Sequence, residues 1–268
     1  MKRALIIARP GMEHQTGWGG AFGKGLERRG WKVAFGEPRA AHADYDLFVI
    51  WGVRGVPVLK GRLGIDPGER ICVLERGYVG DRFSWTSVSF GGGLNGRGIF
   101  RGPFGDPSRW DENFSEFMQP WQPKKDGYAL ILQQVPGDSS IRGVDIESFY
   151  ARASQAFSSD MPIKIRPHPN ISPKKSAEYA AAAKRSFAED LAGARLAVTW
   201  NSNAAVDAVL AGVPTIAMDK GSMAWDVTGH DLVKPPSPDR EAWSRALAWK
   251  QWRREEMESG FCAEMVGL

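Results

Sequence analysis

The stretch Leu191–Asp219 constrains the fold of this chain more than any other. It contains Arg195–Trp200, a short apolar run rich in strand formers, which predicts a buried strand. Ala204–Ala211 carries an apolar stripe at helical spacing and is followed by Gly212, a residue type that often ends a helix. Thr215–Met218 is a second apolar strand. Strand, helix and strand in this order predict a βαβ unit of a parallel sheet.

Three residues of helix-capping type join the first strand of this unit to its helix: Asn201, Ser202 and Asn203. They lie at the carboxyl end of a strand, where open α/β sheets bind their ligands. The N–H groups and the dipole at the amino end of the helix favour phosphate there. The same three residues would also be explained by helix capping alone, and local chemistry leaves both interpretations open.

Composition narrows the class of protein. The chain has 268 residues, of which 43% are hydrophobic and 25% charged, and this predicts one large or two small globular domains. The two cysteines give neither a disulfide framework nor the spacing of a metal site. No apolar segment is long enough for a signal peptide or a membrane span, so we expect a cytoplasmic enzyme. The net charge of +4 fits an anionic ligand or polyanion, and equally a protein that is simply basic.

The first part of the chain also alternates strands and helices. Arg3–Ala8 is an apolar strand, and a glycine-rich loop over Arg9–Gly20 leads to a helix over Ala21–Arg29. The spacing of these glycines does not match the dinucleotide-binding fingerprint. Asp46–Trp51 and Arg70–Glu75 are further strands, so a β/α half is predicted here as well.

Two carboxylates in this half are candidates for a general base. Glu75 ends a predicted strand and Asp81 follows it among glycines, where a carboxylate is well placed to accept a proton. Surface ion pairs with the neighbouring arginines would explain the same residues. No Asp-x-Asp metal site is predicted, because Asp44 and Asp46 precede an apolar strand rather than follow one.

Polar loops follow the strands of the second half. The strand Tyr128–Gln133 leads into the polar loop 134–140, and the strand Pro162–Ile165 leads into Arg166-Pro167-His168-Pro169-Asn170. Two prolines fix the backbone around His168, and an arginine and a histidine at a strand end are candidates for phosphate or base contact. A helix is predicted over Lys174–Glu189.

The remaining segments have weaker patterns. Phe83–Gly105 is dense in glycine and aromatic residues with little periodicity, which predicts loops with room for a hairpin. Residues 106–127, rich in Pro, Trp, Asp and Lys, are predicted to be the domain linker. Arg240–Glu258 is predicted as one final helix with a broad apolar face.

The second half resembles the donor-binding lobe of the GT-B glycosyltransferases. The resemblance rests on QQVPGDSS at 133–140, RPHPN at 166–170 and above all TWNSNAAVDAVLAGVPTIAMD at 199–219. It implies an α/β fold of two Rossmann-like lobes with a central cleft and a C-terminal helix packing across the lobes. Residues 1–122 would form the acceptor-binding lobe and 123–239 the donor-binding lobe, with 240–268 crossing back to the first lobe.

The resemblance also implies roles for single residues. Asn201–Asn203 would hold the donor diphosphate, Arg166 and His168 would contact phosphate or nucleoside, and Asp207 falls where the family commonly has a Glu on the ribose diol. Asp is one methylene shorter than Glu, which weakens that contact. The whole implied donor-binding set is Gln134, Asp138, Ser139, Arg166, His168, Asn201, Ser202, Asn203 and Asp207. The co-substrate would be a nucleotide sugar, with a UDP-sugar favoured and no tightly bound cofactor or metal.

The function predicted on this basis is metal-independent transfer of a sugar from a nucleotide sugar to a hydroxyl. Asp81 is the first choice of base and Glu75 the second. The segments ERGYVGDR and GGGLNGRG resemble bacteriophage proteins, and phages encode transferases that glycosylate 5-hydroxymethylpyrimidines in DNA. Such DNA is therefore the favoured acceptor, in the cytoplasm of an infected bacterial host. The side chains expected to bind the acceptor are Trp18, Arg54, Arg76, Arg82 and Arg97, with Arg101 added for DNA phosphates.

Three alternatives stay open at this point. The first is a GT-B transferase acting on a surface polysaccharide, and the second is a related GT-B enzyme such as a nucleotide-sugar epimerase. The third is a non-catalytic nucleotide-sugar-binding or DNA-binding module, which donor binding without any turnover would indicate.

Overall fold

The computed structural model describes residues 1–42, 44–64, 68–141, 143–169 and 185–268. It divides into two compact units. Unit 1 comprises Met1–Glu112 together with Ser244–Leu268, and unit 2 comprises Asn113–Trp243. Asn170 and most of the helix predicted over Lys174–Glu189 lie outside the described residues.

Helices and strands alternate along most of the chain. The helices are α1 (Glu13–Arg28), α2 (Val56–Leu63), α3 (Ser108–Asn113), α4 (Ile146–Phe157), α5 (Phe187–Gly193), α6 (Ala204–Leu210), α7 (Glu241–Ala248), α8 (Arg254–Ser259) and α9 (Phe261–Met265). The strands are β1 (Arg3–Ile7), β2 (Lys32–Gly36), β3 (Leu47–Trp51), β4 (Ile71–Arg76), β5 (Thr86–Phe90), β6 (Tyr128–Leu132), β7 (Ile163–Arg166), β8 (Ala194–Thr199), β9 (Thr215–Ala217) and β10 (Gln251–Trp252). Across the described residues, no helix has both the length and the apolar character that a bilayer span requires.

Unit 1 is built on a six-stranded sheet with the order β10-β5-β4-β3-β1-β2. Strands β1 to β4 run parallel, whereas β5 is antiparallel to both β4 and β10. The segments that follow β1, β3, β4 and β10 therefore leave at the same edge, which we call the carboxyl edge of unit 1. The chain after β5 leaves at the opposite edge.

Helix α1 begins at Glu13, so the prediction of a glycine-rich loop over Arg9–Gly20 is wrong. Gly19 in this segment, and Gly25 further along α1, serve close packing of the helix. A Cβ atom at Gly19 would lie 2.9 Å from Cγ2 of Ile6 in β1, and one at Gly25 would overlap the backbone of α8. Only a side chain of glycine size lets α1 approach its neighbours this closely.

Two strands of unit 1 were not predicted. Strand β5 lies within Phe83–Gly105, where loops with room for a hairpin were predicted. Its bounds could not be predicted, because its conformation comes from antiparallel pairing with β4 rather than from a local period. Strand β10 interrupts the helix predicted over Arg240–Glu258, so that prediction is wrong. The interruption is stabilised by burial, since Trp252 of β10 is fully buried in the core of unit 1.

Unit 2 is built on a four-stranded, fully parallel sheet with the order β7-β6-β8-β9. The predicted βαβ unit is present as β8, α6 and β9. Both faces of the sheet are covered, with Ala129 and Ile131 of β6 in one core cluster and Leu130 and Leu132 in another. The loops after these strands share the carboxyl edge of unit 2. The predicted α/β class, with a Rossmann-like sheet in each half, is confirmed.

Candidate functional site

A buried polar network joins the loops at the carboxyl edge of unit 2. Asn201, directly after β8, accepts a hydrogen bond from Nε2 of Gln134 at 2.8 Å, and its main-chain N–H donates to Oε1 of Gln134 at 3.0 Å. Its Nδ2 donates to the main-chain oxygen of Ser140 at 2.8 Å and to Oδ1 of Asp219 at 2.9 Å. The loops that follow β6, β8 and β9 are therefore held together by one asparagine.

This network makes Gln134 and Asn201 supports of the site rather than its surface. They are only 6% and 2% exposed, and both heavy atoms of the Asn201 amide are hydrogen-bonded within the protein. Buried amides satisfied in this way fix the loops around them. The structure thus brings these two predicted donor-binding residues together, but both are buried below the surface of the carboxyl edge.

The other predicted donor-binding residues of these loops are half-buried and reach the surface. Ser202 accepts a hydrogen bond from the N–H of Ala204 at 3.2 Å, and Asn203 occupies the N-cap position of α6 without a side-chain cap bond. Asp207 lies one turn further along the same helix. In the loop after β6, Oδ1 of Asp138 accepts bonds from the main-chain N–H and the hydroxyl of Ser140, both at 2.8 Å, next to the half-buried Ser139.

Arg166, at the end of β7, has a partner that sequence reasoning missed. Asp190 of α5, whose side chain is fully buried, pairs with Nζ of Lys164 at 2.7 Å, Nη1 of Arg166 at 2.5 Å and Nε of Arg185 at 2.8 Å. Burial acts to raise the pKa of Asp190, but hydrogen bonds from these three cations outweigh it and lower the pKa to about 2.

Nη1 of Arg166 therefore pairs with a buried carboxylate, which ties the end of β7 to α5, and the contact of Arg166 with phosphate or nucleoside stays a prediction. Asp190 lies just before the stretch Leu191–Asp219 and was not predicted as a site residue; a buried carboxylate needs cations, and the fold brings these three to it. His168, two residues beyond β7, is half-buried.

A second cluster lies at the carboxyl edge of unit 1. His14, in the first turn of α1, contacts the ring of Trp51 edge-on at 5.0 Å between centroids and 74° between planes. The guanidinium of Arg76 lies 5.4 Å from the ring of Trp51 and 4.5 Å from the ring of Phe83. Burial, and after it the charge of Arg76, lower the pKa of His14. His14 was not predicted as a site residue, because a loop was predicted over Arg9–Gly20, whereas this residue lies in the first turn of α1.

The predicted bases Asp81 and Glu75 occupy the same edge. Asp81 is exposed, and its two oxygens accept hydrogen bonds from the hydroxyl of Ser84 at 2.6 Å and the N–H of Phe83 at 3.0 Å. These bonds lower the pKa of Asp81, so it shapes its turn and is a weak base. Glu75 is half-buried near the end of β4 and accepts the main-chain N–H of Arg76 at 3.0 Å.

The loop after β4 is clamped by a residue that sequence reasoning also missed. Gln251 of β10 is fully buried, and its Oε1 accepts the main-chain N–H groups of Tyr78 at 2.5 Å and Val79 at 3.1 Å. Its Nε2 donates back to the oxygen of Val79 at 3.3 Å. The C-terminal segment thereby fixes the loop that carries Asp81.

An open groove of about 510 Å³ lies on unit 1 beside this loop. Its walls combine aromatic rings with cations: Trp18, Phe83, Ser84, Trp85, Arg253, Arg254 and Glu255. Phe83 is 71% exposed, whereas Trp18 is 8% exposed and forms part of the floor. The guanidinium of Arg253 lies 4.8 Å from the ring of Trp85. Phe83 is the exposed aromatic side chain of this groove, since Trp85 is only 6% exposed, and an exposed ring beside arginine N–H donors suits a polar ring such as a sugar.

The structure separates the arginines that were expected to share an acceptor site. Arg54, exposed after β3, and Arg82, half-buried after β4, lie at the carboxyl edge with Arg76. Arg97 follows β5, which runs back along β4, so it lies at the opposite edge. Arg101 also lies there, because it pairs with Glu69 directly before β4. No group of three or more metal-binding side chains occurs among the residues that the structure describes.

No protein-family model matches this sequence, and no curated protein is similar enough to count as a match. Two solved structures share its fold, both from Thermosulfurimonas dismutans KpsC. The KpsC beta Kdo 2,4 transferase superposes with a TM-score of 0.56 at 14% identity, over 94% of this chain and 92% of that one. The KpsC beta Kdo 2,7 transferase gives a TM-score of 0.51 at 12% identity, over 98% of this chain and 99% of that one. The likeness is one of fold, and it agrees with the predicted GT-B type.

Proposed function

We propose that this protein is a glycosyltransferase that takes a sugar from a nucleotide-sugar donor and adds it to a hydroxyl group of a surface polysaccharide. The observation that carries this proposal is the carboxyl edge of unit 2, where Asn201 locks three strand-end loops around half-buried polar residues. Such edges are where parallel α/β sheets bind ligands. Two transferases with the same fold support the reaction class.

The donor would bind at this edge of unit 2. Side chains with hydrogen-bond donors that reach the surface, such as Ser139, Ser202 and Asn203, suit the oxygens of a phosphate. The carboxylates of Asp138 and Asp207 suit the hydroxyl groups of a ribose or a sugar. Arg166 would have fewer N–H groups left for a phosphate, because its Nη1 pairs with Asp190.

The acceptor would bind in the groove of unit 1. We rank a surface polysaccharide above DNA, which reverses the order inferred from the sequence. The two fold neighbours are named for Kdo transfer, and the groove offers one exposed aromatic ring, that of Phe83, of the kind that stacks on sugar rings. A continuous DNA-binding surface would lack Arg97 and Arg101, which lie at the other edge of the sheet.

The test takes the donor and the acceptor in turn. A thermal-shift screen against CMP-, UDP-, GDP- and CDP-sugars, with and without a chelator, should identify one donor class that stabilises the protein whether or not a metal is present. Mass spectrometry with that donor should then detect transfer to surface-polysaccharide oligosaccharides and none to hydroxymethylated DNA. Donor binding without turnover on any acceptor would refute the enzyme proposal, and transfer to the DNA alone would refute the ranking of acceptors.

A further inference from the structure

We infer that His14, rather than Asp81, accepts the proton of the acceptor hydroxyl, an inference that rests on the proposed glycosyltransferase function. Three observations carry it: the position of His14 at the carboxyl edge of unit 1, the side chains around it, and the engagement of the competing carboxylate.

The position of His14 comes from the fold. Strands β1, β3 and β4 are consecutive in the sheet, and β1 is followed by the start of α1. His14 thus stands above the end of β1, Trp51 ends β3 and Arg76 ends β4, in one row across the edge. The edge-on contact with Trp51 packs the imidazole against the end of β3.

The surroundings keep the imidazole neutral. His14 is half-buried, and the charged groups at the neighbouring end of β4 are Arg76 and Glu75. Burial, and after it the charge of Arg76, lower the pKa of His14, which leaves a nitrogen lone pair available at neutral pH. Arg76 also supplies positive charge beside the oxygen that loses its proton.

Asp81 is less suited to the same role. Its oxygens already accept hydrogen bonds from Ser84 and Phe83, so proton transfer to Asp81 would weaken both bonds. These bonds also lower its pKa, which weakens it as a base further.

The proposed step balances as follows. The proton of the acceptor O–H passes to the unprotonated ring nitrogen of His14 as the oxygen forms its bond to the anomeric carbon. The bond between that carbon and the departing group breaks, and its electron pair leaves with that group. The imidazolium then returns the proton to solvent.

The experiment compares His14→Gln and His14→Ala with Asp81→Asn and Glu75→Gln. His42→Ala is the matched control, because His42 is an exposed histidine of the same unit that pairs with Asp44. We expect both His14 variants to lower kcat by about 100-fold or more, with imidazole restoring part of the activity of His14→Ala. Asp81→Asn and His42→Ala should stay within about threefold of wild type. Donor affinity, measured by calorimetry, should change in none of the variants.

The pH profile of kcat separates the candidates further. If His14, with its lowered pKa, is the base, wild-type activity should fall only below about pH 6.5. If an aspartate is the base, activity should be retained until the pH falls to about 4. If His14→Gln has the kcat of the wild type, or if only Asp81→Asn or Glu75→Gln loses activity, this inference is overturned and the proposed function stays intact. A wild-type protein that transfers no sugar would overturn the proposed function, and the inference with it.

Discussion

The polar network at the carboxyl edge of unit 2 makes a quantitative prediction for Asn201→Ala. The substitution removes three side-chain hydrogen bonds, those with Gln134, Ser140 and Asp219. A neutral bond contributes about 1 kcal/mol and one to a carboxylate about 2 kcal/mol, so the total is about 4 kcal/mol. Water entering the vacated volume would recover part of this, which sets a lower bound of about 2 kcal/mol.

The assay is urea unfolding, using the transition of unit 2, because units with separate cores can unfold in separate steps. Ser202→Ala is the matched control, because Ser202 is adjacent to Asn201 and its hydroxyl accepts a long hydrogen bond from the N–H of Ala204, at 3.2 Å. We expect the free energy of unfolding of this control to be about 0.5 to 1 kcal/mol below that of the wild type. Asn201→Ala should also weaken binding of the donor found by the nucleotide-sugar screen. An Asn201→Ala protein as stable as Ser202→Ala would refute the reasoning that this asparagine holds the three loops together.

Three further predictions follow from the described contacts. Asp190→Asn should lower the free energy of unfolding by about 2 kcal/mol at neutral pH, measured by urea unfolding. Because the pKa of Asp190 in the folded protein is lowered to about 2, the difference from wild type should shrink as the pH falls from about 4 towards that value. Gly25→Ala should destabilise unit 1 by about 1 to 3 kcal/mol, because the added Cβ overlaps the oxygen of Met257, while Gly20→Ala, with open space around it, should be neutral or stabilising; thermal melts of the pair test this. Phe83→Ala should raise the KM for an oligosaccharide acceptor several-fold and leave donor affinity and thermal stability unchanged, and an unaltered KM would remove the groove from acceptor binding.

Unit 2 could be predicted well because its signals are local. The strand predicted at Arg195–Trp200 is β8, which begins and ends one residue earlier, and the helix predicted at Ala204–Ala211 is α6, which ends one residue earlier. In a parallel βαβ unit each element carries its own period and its own cap, so neighbouring residues suffice to identify it. The roles of Gln134 and Asn201 could not be read in this way, because burial beneath the edge depends on contacts between distant loops.

Unit 1 was less predictable because its decisive contacts are long-range. Gly19 of α1 falls in a segment that a local reading assigns to a loop, and only the nearness of Ile6 in β1 explains it. Because a loop was predicted over this segment, His14 was not predicted as a site residue. Gln251, distant in sequence from the loop it clamps, gives no local signal at all.

The sequence by itself determined the α/β class, the parallel sheet of unit 2 and the polar character of its strand ends, because these follow from periodicity and capping within a few residues. The tertiary structure alone decided which polar side chains are available. The reversed direction of β5 carried Arg97 away from Arg76, and the buried charge of Asp190 engaged Arg166. Strand direction and the pairing of buried charges depend on the whole sheet, and so no window of sequence contains them.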